Sequence, residues 1–150
     1  MRSNKILTTT QLEKYIKNLY SQIILISKKD GVYTPLRTIF KECNPRGLEG
    51  EYCFSKDELY HFWITERGRL ISKTTTSDLF LITYLTIEPN LFSLACNFEL
   101  KNRINQQDTR RICFAKEAEY FSIIGEEFKK KFEKNISGIL EKYPYDDTLC

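Results

Sequence analysis

Residues 51–71 read EYCFSKDELYHFWITERGRLI, and this stretch decides the fold. Glu51–Phe54 and Leu59–Thr65 are rich in aromatic and β-branched residues, and Glu66–Arg69 separates the second run from a further apolar pair. Such side chains fit the pleated surface of a sheet, and a short glycine-containing turn joins neighbouring strands. The stretch therefore predicts a small antiparallel sheet with a hairpin around Arg67–Gly68.

An amphipathic helix is predicted before the sheet. Thr10–Glu13 has the form of a capping box, and apolar residues recur behind it at steps of three and four as far as Ile23. The helix should end near Lys28–Gly31, where lysines precede a glycine. Residues 32–50 contain scattered proline and glycine and predict a loop, with at most one helical turn.

The sequence after the sheet predicts about four helices. Ser77–Asp78 can cap a run that is apolar on all sides, and Pro89 should end or kink that helix because proline lacks an N–H group. The remaining helices are expected over residues 91–103, 108–124 and 126–143. The predicted fold class is α+β, with an N-terminal helix, a small antiparallel sheet and a C-terminal group of helices in a single domain over residues 1–150.

Composition bounds the possible partners and the compartment. The net charge of +3 is small and gives weak support to a polyanionic partner. Five cysteines, an odd number without a CxxC pair, argue against a disulfide framework, and a lone histidine argues against a zinc site. Most of the thiols are expected to fill the core, and Cys150 to be exposed. No cofactor is expected.

Residues 1–10 have no apolar run typical of a signal peptide, and the longest apolar stretches are too short or too interrupted to span a bilayer. These features predict a cytoplasmic protein without membrane association.

Catalytic machinery is not recognisable. His61 is the only histidine and lies in the middle of a predicted strand, and no nucleotide-binding or hydrolase motif occurs. The acids of Glu126–Glu127 suit a helix start, and those of Asp146–Asp147 could belong to a docked tail or a frayed terminus. The sequence predicts no enzyme and no small-molecule substrate.

A basic run, Lys129–Lys131 with Lys134, raises the alternative of a nucleic-acid-binding regulatory protein that uses the last helix. Phe128 and Phe132, however, fall on the apolar stripe of that helix, so the lysines should form its solvated face. Nucleic acid is therefore an unlikely partner.

Arg110 and Glu117 fall inside the apolar stripe of the helix over 108–124 when a rotation of about 100° per residue is applied. They lie about 10 Å apart along the axis, so each needs a partner elsewhere. Candidates are Arg67, Arg103 and Arg111 for the acid, and Glu66, Asp146 and Asp147 for the arginine. An ion-pair network and an anion or acid–base site in a cleft both remain open.

Four segments carry a family resemblance: Trp63–Gly68, Glu99–Ile104, Gln107–Phe114 with Glu117 following, and Pro144–Asp147. Over residues 59–147 the chain resembles the immunity protein 63 family of bacterial polymorphic toxin systems. The resemblance implies an α+β cytoplasmic protein, made beside a toxin gene, that binds the toxin domain and blocks it. It brings no catalytic residues and no known toxin contacts.

We hypothesise that the charged residues of these motifs form an internal ion-pair network and are not the toxin-binding surface. The network comprises Glu66, Arg67, Arg103, Asp108, Arg110, Arg111, Glu117, Asp146 and Asp147.

Overall fold

The structure, a computed structural model, describes residues 5–148 of the chain, so Cys150 and the first four residues of the N-terminal segment lie outside the described residues. The elements in chain order are α1 (Thr9–Lys29), β1 (Gly50–Lys56), β2 (Leu59–Glu66), β3 (Arg69–Thr76), α2 (Leu79–Lys101), α3 (Thr109–Ile124) and α4 (Glu126–Lys142). The α+β class, the N-terminal helix and the small antiparallel sheet are confirmed.

The sheet is antiparallel with the order β1-β2-β3. Both hairpins turn through two residues with positive φ, Asp57 and Glu58 in the first and Arg67 and Gly68 in the second. Turns of this kind match the twist of the flanking strands. In the first hairpin they set the register in which Phe54 faces His61.

The capping box of α1 lies two positions before the predicted one. The Thr8 hydroxyl accepts from the backbone N–H of Gln11 at 3.2 Å, and the Gln11 side chain accepts from the N–H of Thr8 at 3.0 Å. The predicted end of the helix is confirmed, because α1 stops at Lys29.

The loop after α1 contains no helical turn at Leu36–Phe40. Ile39 instead forms a parallel bridge with Tyr52 on β1. The Ile39 N–H donates to the Glu51 carbonyl at 2.8 Å, and the Cys53 N–H donates to the Ile39 carbonyl at 3.0 Å. An extended residue thus covers part of the β1 edge.

Within residues 5–148, α2 is one continuous helix, so three helices follow the sheet instead of about four. Its start is as predicted, since the Asp78 carboxylate accepts from the Phe80 N–H at 2.9 Å. The prediction that Pro89 ends the helix is wrong. A helical proline costs roughly 3 kcal/mol, and buried Ile87 and Leu91 on either side of it supply packing of comparable size.

The continuity of α2 also changes the expectation about membrane spans. Among the described residues, Leu79–Lys101 is long and apolar enough to cross a bilayer by length and composition, contrary to the sequence argument. Half of its most apolar window is buried within the protein. A buried core helix of a soluble protein has the same length and composition. Absence of membrane association stays a prediction.

The chain folds into two compact units. That residues 1–150 form a single domain stays a prediction. The first unit contains the described residues up to Asn18 together with Leu36–Glu88. Its buried core joins the start of α1, the sheet and the start of α2. The core side chains are Leu12, Ile16, Tyr52, Cys53, Phe54, Tyr60, Phe62, Ile82 and Ile87.

The second unit contains Leu19–Pro35 and the described residues from Pro89 onward. Its core lies between the end of α1, the end of α2, and the helices α3 and α4. The buried hydrophobic side chains are Tyr20, Ile23, Val32, Leu91, Leu94, Ala95, Cys113, Tyr120, Phe121, Phe128 and Phe132.

Candidate functional site

Asp108 is the centre of a charged cluster at the start of α3. Its side chain caps the helix by accepting from the Arg110 N–H at 3.0 Å, and it also accepts from the Asp146 N–H at 2.9 Å. The guanidinium of Arg110 donates to both of its oxygens, the shortest contact being 2.8 Å. The carboxylate is buried, and chiefly the hydrogen bonds from Arg110 hold its pKa well below its usual range.

Arg110 also reaches the segment that follows α4. Its two terminal nitrogens donate to the carbonyls of Tyr143 at 2.8 Å and Pro144 at 2.9 Å. One guanidinium therefore holds the helix cap of α3 and the backbone after α4 together. The fork of donors in arginine suits this arrangement, because it presents several N–H groups in a fixed plane.

Arg111 makes the second attachment of that segment. Its guanidinium donates to the two carboxylate oxygens of Asp147 at 2.9 and 3.2 Å. Asp147 in turn accepts from the Asp108 N–H at 2.9 Å. The ring of Tyr145 lies against both arginines, 4.2 Å from the Arg111 guanidinium and 5.5 Å from that of Arg110. We name Asp108, Arg110, Arg111, Tyr145, Asp146 and Asp147 the C-terminal clasp.

The remaining charged residues of the proposed network lie outside the clasp. Arg103 forms two hydrogen bonds with Glu99, at 2.8 and 3.0 Å, which chiefly lower the pKa of Glu99. Glu117 is buried on α3. Burial raises the pKa values of the Cys96 and Cys113 thiols, and the charge of Glu117 adds to the increase.

Glu66 and Arg67 belong to the first unit, at the β2–β3 turn. The N–H of Arg67 donates to the Glu49 carboxylate at 3.1 Å. The structure thus brings together Asp108, Arg110, Arg111, Asp146 and Asp147. The ion pair of Arg110 is with Asp108, which was not among its suggested partners, and the suggested Asp147 pairs with Arg111 instead.

Buried Lys116 is the centre of a second charge cluster, which sequence reasoning missed. Its ammonium lies 2.8 Å from Asp30 and 3.0 Å from Glu119, and the Tyr120 hydroxyl also donates to Asp30 at 3.0 Å. Burial alone would lower the pKa of Lys116, but the contacts with the two acids outweigh it and raise the pKa. On a helical wheel Lys116 lies outside the apolar stripe, so periodicity carried no signal for its burial.

His61 on β2 is surrounded by side chains and backbone groups of the sheet. Its ring stacks on Phe54 with centroids 4.8 Å apart and meets Trp63 edge-on at 5.8 Å. One ring nitrogen contacts the Lys56 carbonyl at 3.1 Å and the other contacts the Thr75 hydroxyl at 3.2 Å. Contacts on both nitrogens and with two neighbouring rings place the imidazole among the side chains of the sheet.

The cysteines of the described chain, Cys43, Cys53, Cys96 and Cys113, are free. All except Cys96 are buried, and burial raises the pKa of Cys53 and, with help from Cys96, that of Cys113 to about 12. Cys43, Cys53 and Cys113 therefore fill the core as protonated thiols. No group of His, Cys, Asp and Glu within residues 5–148 could hold a metal ion.

The basic face of α4 lacks aromatic residues available to bases. Phe128 and Phe132 are both buried, as the helical stripe predicted. They pack against Phe121, with centroids 6.4 and 5.3 Å away. The lysines of this helix thus supply charge without the exposed rings that single-stranded nucleic acid stacks on.

An open groove of 1030 Å³ runs beside the clasp. Its charged lining includes Arg103, Asp108, Arg110, Lys142 and Asp146. Asp108 is paired with Arg110, and Arg103 is paired with Glu99. The charges of these groove residues are therefore already compensated by ion pairs. An anion site built on Arg110 and Glu117 together finds no support in this lining, because Glu117 is not part of it.

Within residues 5–148, one helix precedes a three-stranded antiparallel sheet and three helices follow it, which defines an α+β protein. The model of the family described as Immunity protein 63 matches residues 56–138, more than half of the chain. The chain belongs to the immunity protein 63 family. The match runs from the end of β1 into α4, so α1 and the Pro144–Asp147 segment lie outside it.

Membership supports an immunity function and, in general terms, a toxin protein as partner. No curated protein and no solved structure matches the chain.

Proposed function

We propose that this protein binds a cognate bacterial toxin domain in the cytoplasm and neutralises it by forming a stoichiometric complex. The observation that carries the proposal is the family match over residues 56–138. Such an inhibitor protects its own cell during competition between bacteria that deploy polymorphic toxins. An interface of about 1,200–2,000 Å² with a few aromatic or arginine anchors suffices for a complex of this kind.

The environments of the ionisable groups support inhibition without catalysis. His61 is held by contacts on both ring nitrogens, and the acids of the clasp are engaged by Arg110 and Arg111. A general base must be within hydrogen-bond reach of a substrate proton. These groups instead face their own chain, so the protein acts as a binding partner.

The test is co-expression with the toxin domain encoded beside the gene for this chain. Growth should be rescued, and the two proteins should co-purify in equal amounts. Titration against the purified toxin separates an inhibitor from an enzyme, because an inhibitor protects only as its amount approaches that of the toxin. Complete protection at a small fraction of that amount would contradict stoichiometric inhibition.

Two controls sharpen the experiment. His61→Gln should retain protection at equal amounts, whereas an enzyme that used the imidazole would lose it. Binding to generic DNA or RNA should be absent at low salt, since a nucleic-acid-binding protein would bind there and weaken steeply as salt is added. Growth that is not rescued, with no complex formed, would overturn the proposal.

A further inference from the structure

β3 is an edge strand whose surroundings leave it open. It pairs with β2 on one side, and no other strand among residues 5–148 pairs with its outer side. The five residues Arg69–Lys73 are all exposed, so side chains on both faces of the strand reach solvent. Leu70 and Ile71 are 41% and 58% exposed.

The opposite edge of the sheet, at β1, is partly covered. Ile39 bridges to Tyr52 and satisfies backbone groups on the outer side of β1. A long uncovered edge strand presents N–H and C=O groups that another chain can pair with, and natural proteins usually shorten, charge or cover such strands. β3 is eight residues long and combines exposed apolar residues with basic ones.

The charge of this edge is mainly positive, with Glu66 on β2 as an acid opposite Arg69. β3 carries Arg69 and Lys73 and no acid, and Arg67 stands at the turn beside it. A shallow groove of 410 Å³ at this turn is lined by Glu66, Arg67, Arg69 and Ile71. The chemistry that complements this surface is an extended segment with acidic and apolar side chains.

The hairpin adds an aromatic neighbour to the edge. The Lys73 ammonium lies 4.7 Å from the centre of the Trp63 ring, on the strand next to β3. Tryptophan and arginine are the residue types that most often anchor protein interfaces. Addition of a partner strand to β3 would place its side chains beside this pair.

A second copy of the chain suits the edge less well. Pairing two β3 strands would bring together two strands that each carry Arg69 and Lys73 and have no acid of their own. Like charges across neighbouring strands destabilise pairing. A heterologous acidic strand meets no such repulsion.

We propose that β3, Arg69–Thr76, is the docking edge for the cognate toxin domain, which adds a strand bearing acidic and apolar residues to the sheet. This inference rests on the proposed function. Backbone hydrogen bonds along β3 would supply affinity, and the cations at Arg69 and Lys73 would select the partner. The clasp lies on other elements, and its role is to stabilise the fold.

The test uses the full chain and a catalytically inactivated form of the toxin domain encoded beside its gene. Ile71→Asp and Lys73→Glu should each weaken binding at least tenfold, since both place a negative charge on an edge that receives acids. Leu48→Asp is the matched control, because Leu48 is 70% exposed in the same compact unit but lies on a loop. It should bind as the wild type does.

Backbone amide exchange gives an independent readout. Formation of the complex should slow exchange in residues 69–76 and leave residues 41–48 unchanged. Wild-type binding by both β3 variants, or unchanged exchange in β3 within a formed complex, overturns the docking edge and leaves the proposed function standing. Failure to form any complex overturns both. A melting temperature equal to that of the wild type confirms that the variants fold.

Discussion

The guanidinium of Arg111 is joined by two hydrogen bonds to the carboxylate of Asp147, 36 positions further along the chain. The neighbouring Arg110 holds Asp108 and the carbonyls of Tyr143 and Pro144. Two consecutive arginines therefore attach the segment after α4 to the first turn of α3. The clasp gives a structural role to the charged residues at the start of α3. Substitutions of these residues should therefore change the stability of the protein.

Arg110→Met should lower the melting temperature, because the Asp108 carboxylate then loses the cation that it is paired with. Thermal melting measures the loss. Arg46→Met is the control, since this exposed loop arginine should change stability by less than about 0.5 kcal/mol. An unchanged melting curve combined with lost toxin binding would show that Arg110 belongs to the interface and not to the scaffold.

Acid should destabilise the protein through Asp108. Its pKa in the folded state lies below the unfolded value of 3.8, so the unfolded chain takes up the proton first as the pH falls. The stabilisation is present in full above roughly pH 5 and is lost as the pH falls through the folded pKa. Urea unfolding at a series of pH values measures this, and Asp108→Asn should flatten the dependence. Parallel curves for the two proteins would contradict the assignment.

Lys116→Met should destabilise the second unit by about 1–2 kcal/mol, because half-buried Asp30 then loses the ammonium that faces it but keeps the Tyr120 hydroxyl. Tyr120→Phe removes only the hydroxyl that donates to Asp30 and should cost about 1 kcal/mol. Tyr33→Phe, on an exposed tyrosine, serves as the control with little expected change. If Lys116→Met melts at the wild-type temperature, the charge cluster around Lys116 contributes nothing to stability.

Gly125 and Gly138 should respond oppositely to alanine. Gly125 joins α3 to α4 with φ +154°, and an added Cβ would lie 3.2 Å from Cδ2 of Phe128. Gly125→Ala should therefore lower stability by about 1–3 kcal/mol. Gly138 lies inside α4 with open space around it, so Gly138→Ala should raise stability by about 1 kcal/mol. Chemical denaturation measures the change in stability of both variants. A change in the same direction for both would contradict the conformation assigned to Gly125 between α3 and α4.

Elements whose signals are local were predictable from the chain. The aromatic and β-branched runs over 51–65 specified strands, and the start of α3 at Asp108 was predicted from the sequence. The buried stripe of α4 followed from periodicity, and Phe128 and Phe132 occupy it. Each of these features depends on residues a few positions apart. Such local features can be predicted from the sequence without a tertiary structure.

Tertiary structure decided the rest. Pro89 reads as a helix end, yet packing on both sides carries α2 through it. The contact between Tyr120 and Asp30 joins residues 90 positions apart, and no spacing rule connects them. The exposure of β3 is likewise invisible in its residues, because a strand at the edge and one in the centre can share a composition. From the chain alone the strands, the hairpin turn at Arg67–Gly68 and the buried stripe of α4 followed, since these depend on neighbouring residues. Only the fold decided which charges meet and which strand edge remains open, since both depend on distant segments meeting in space.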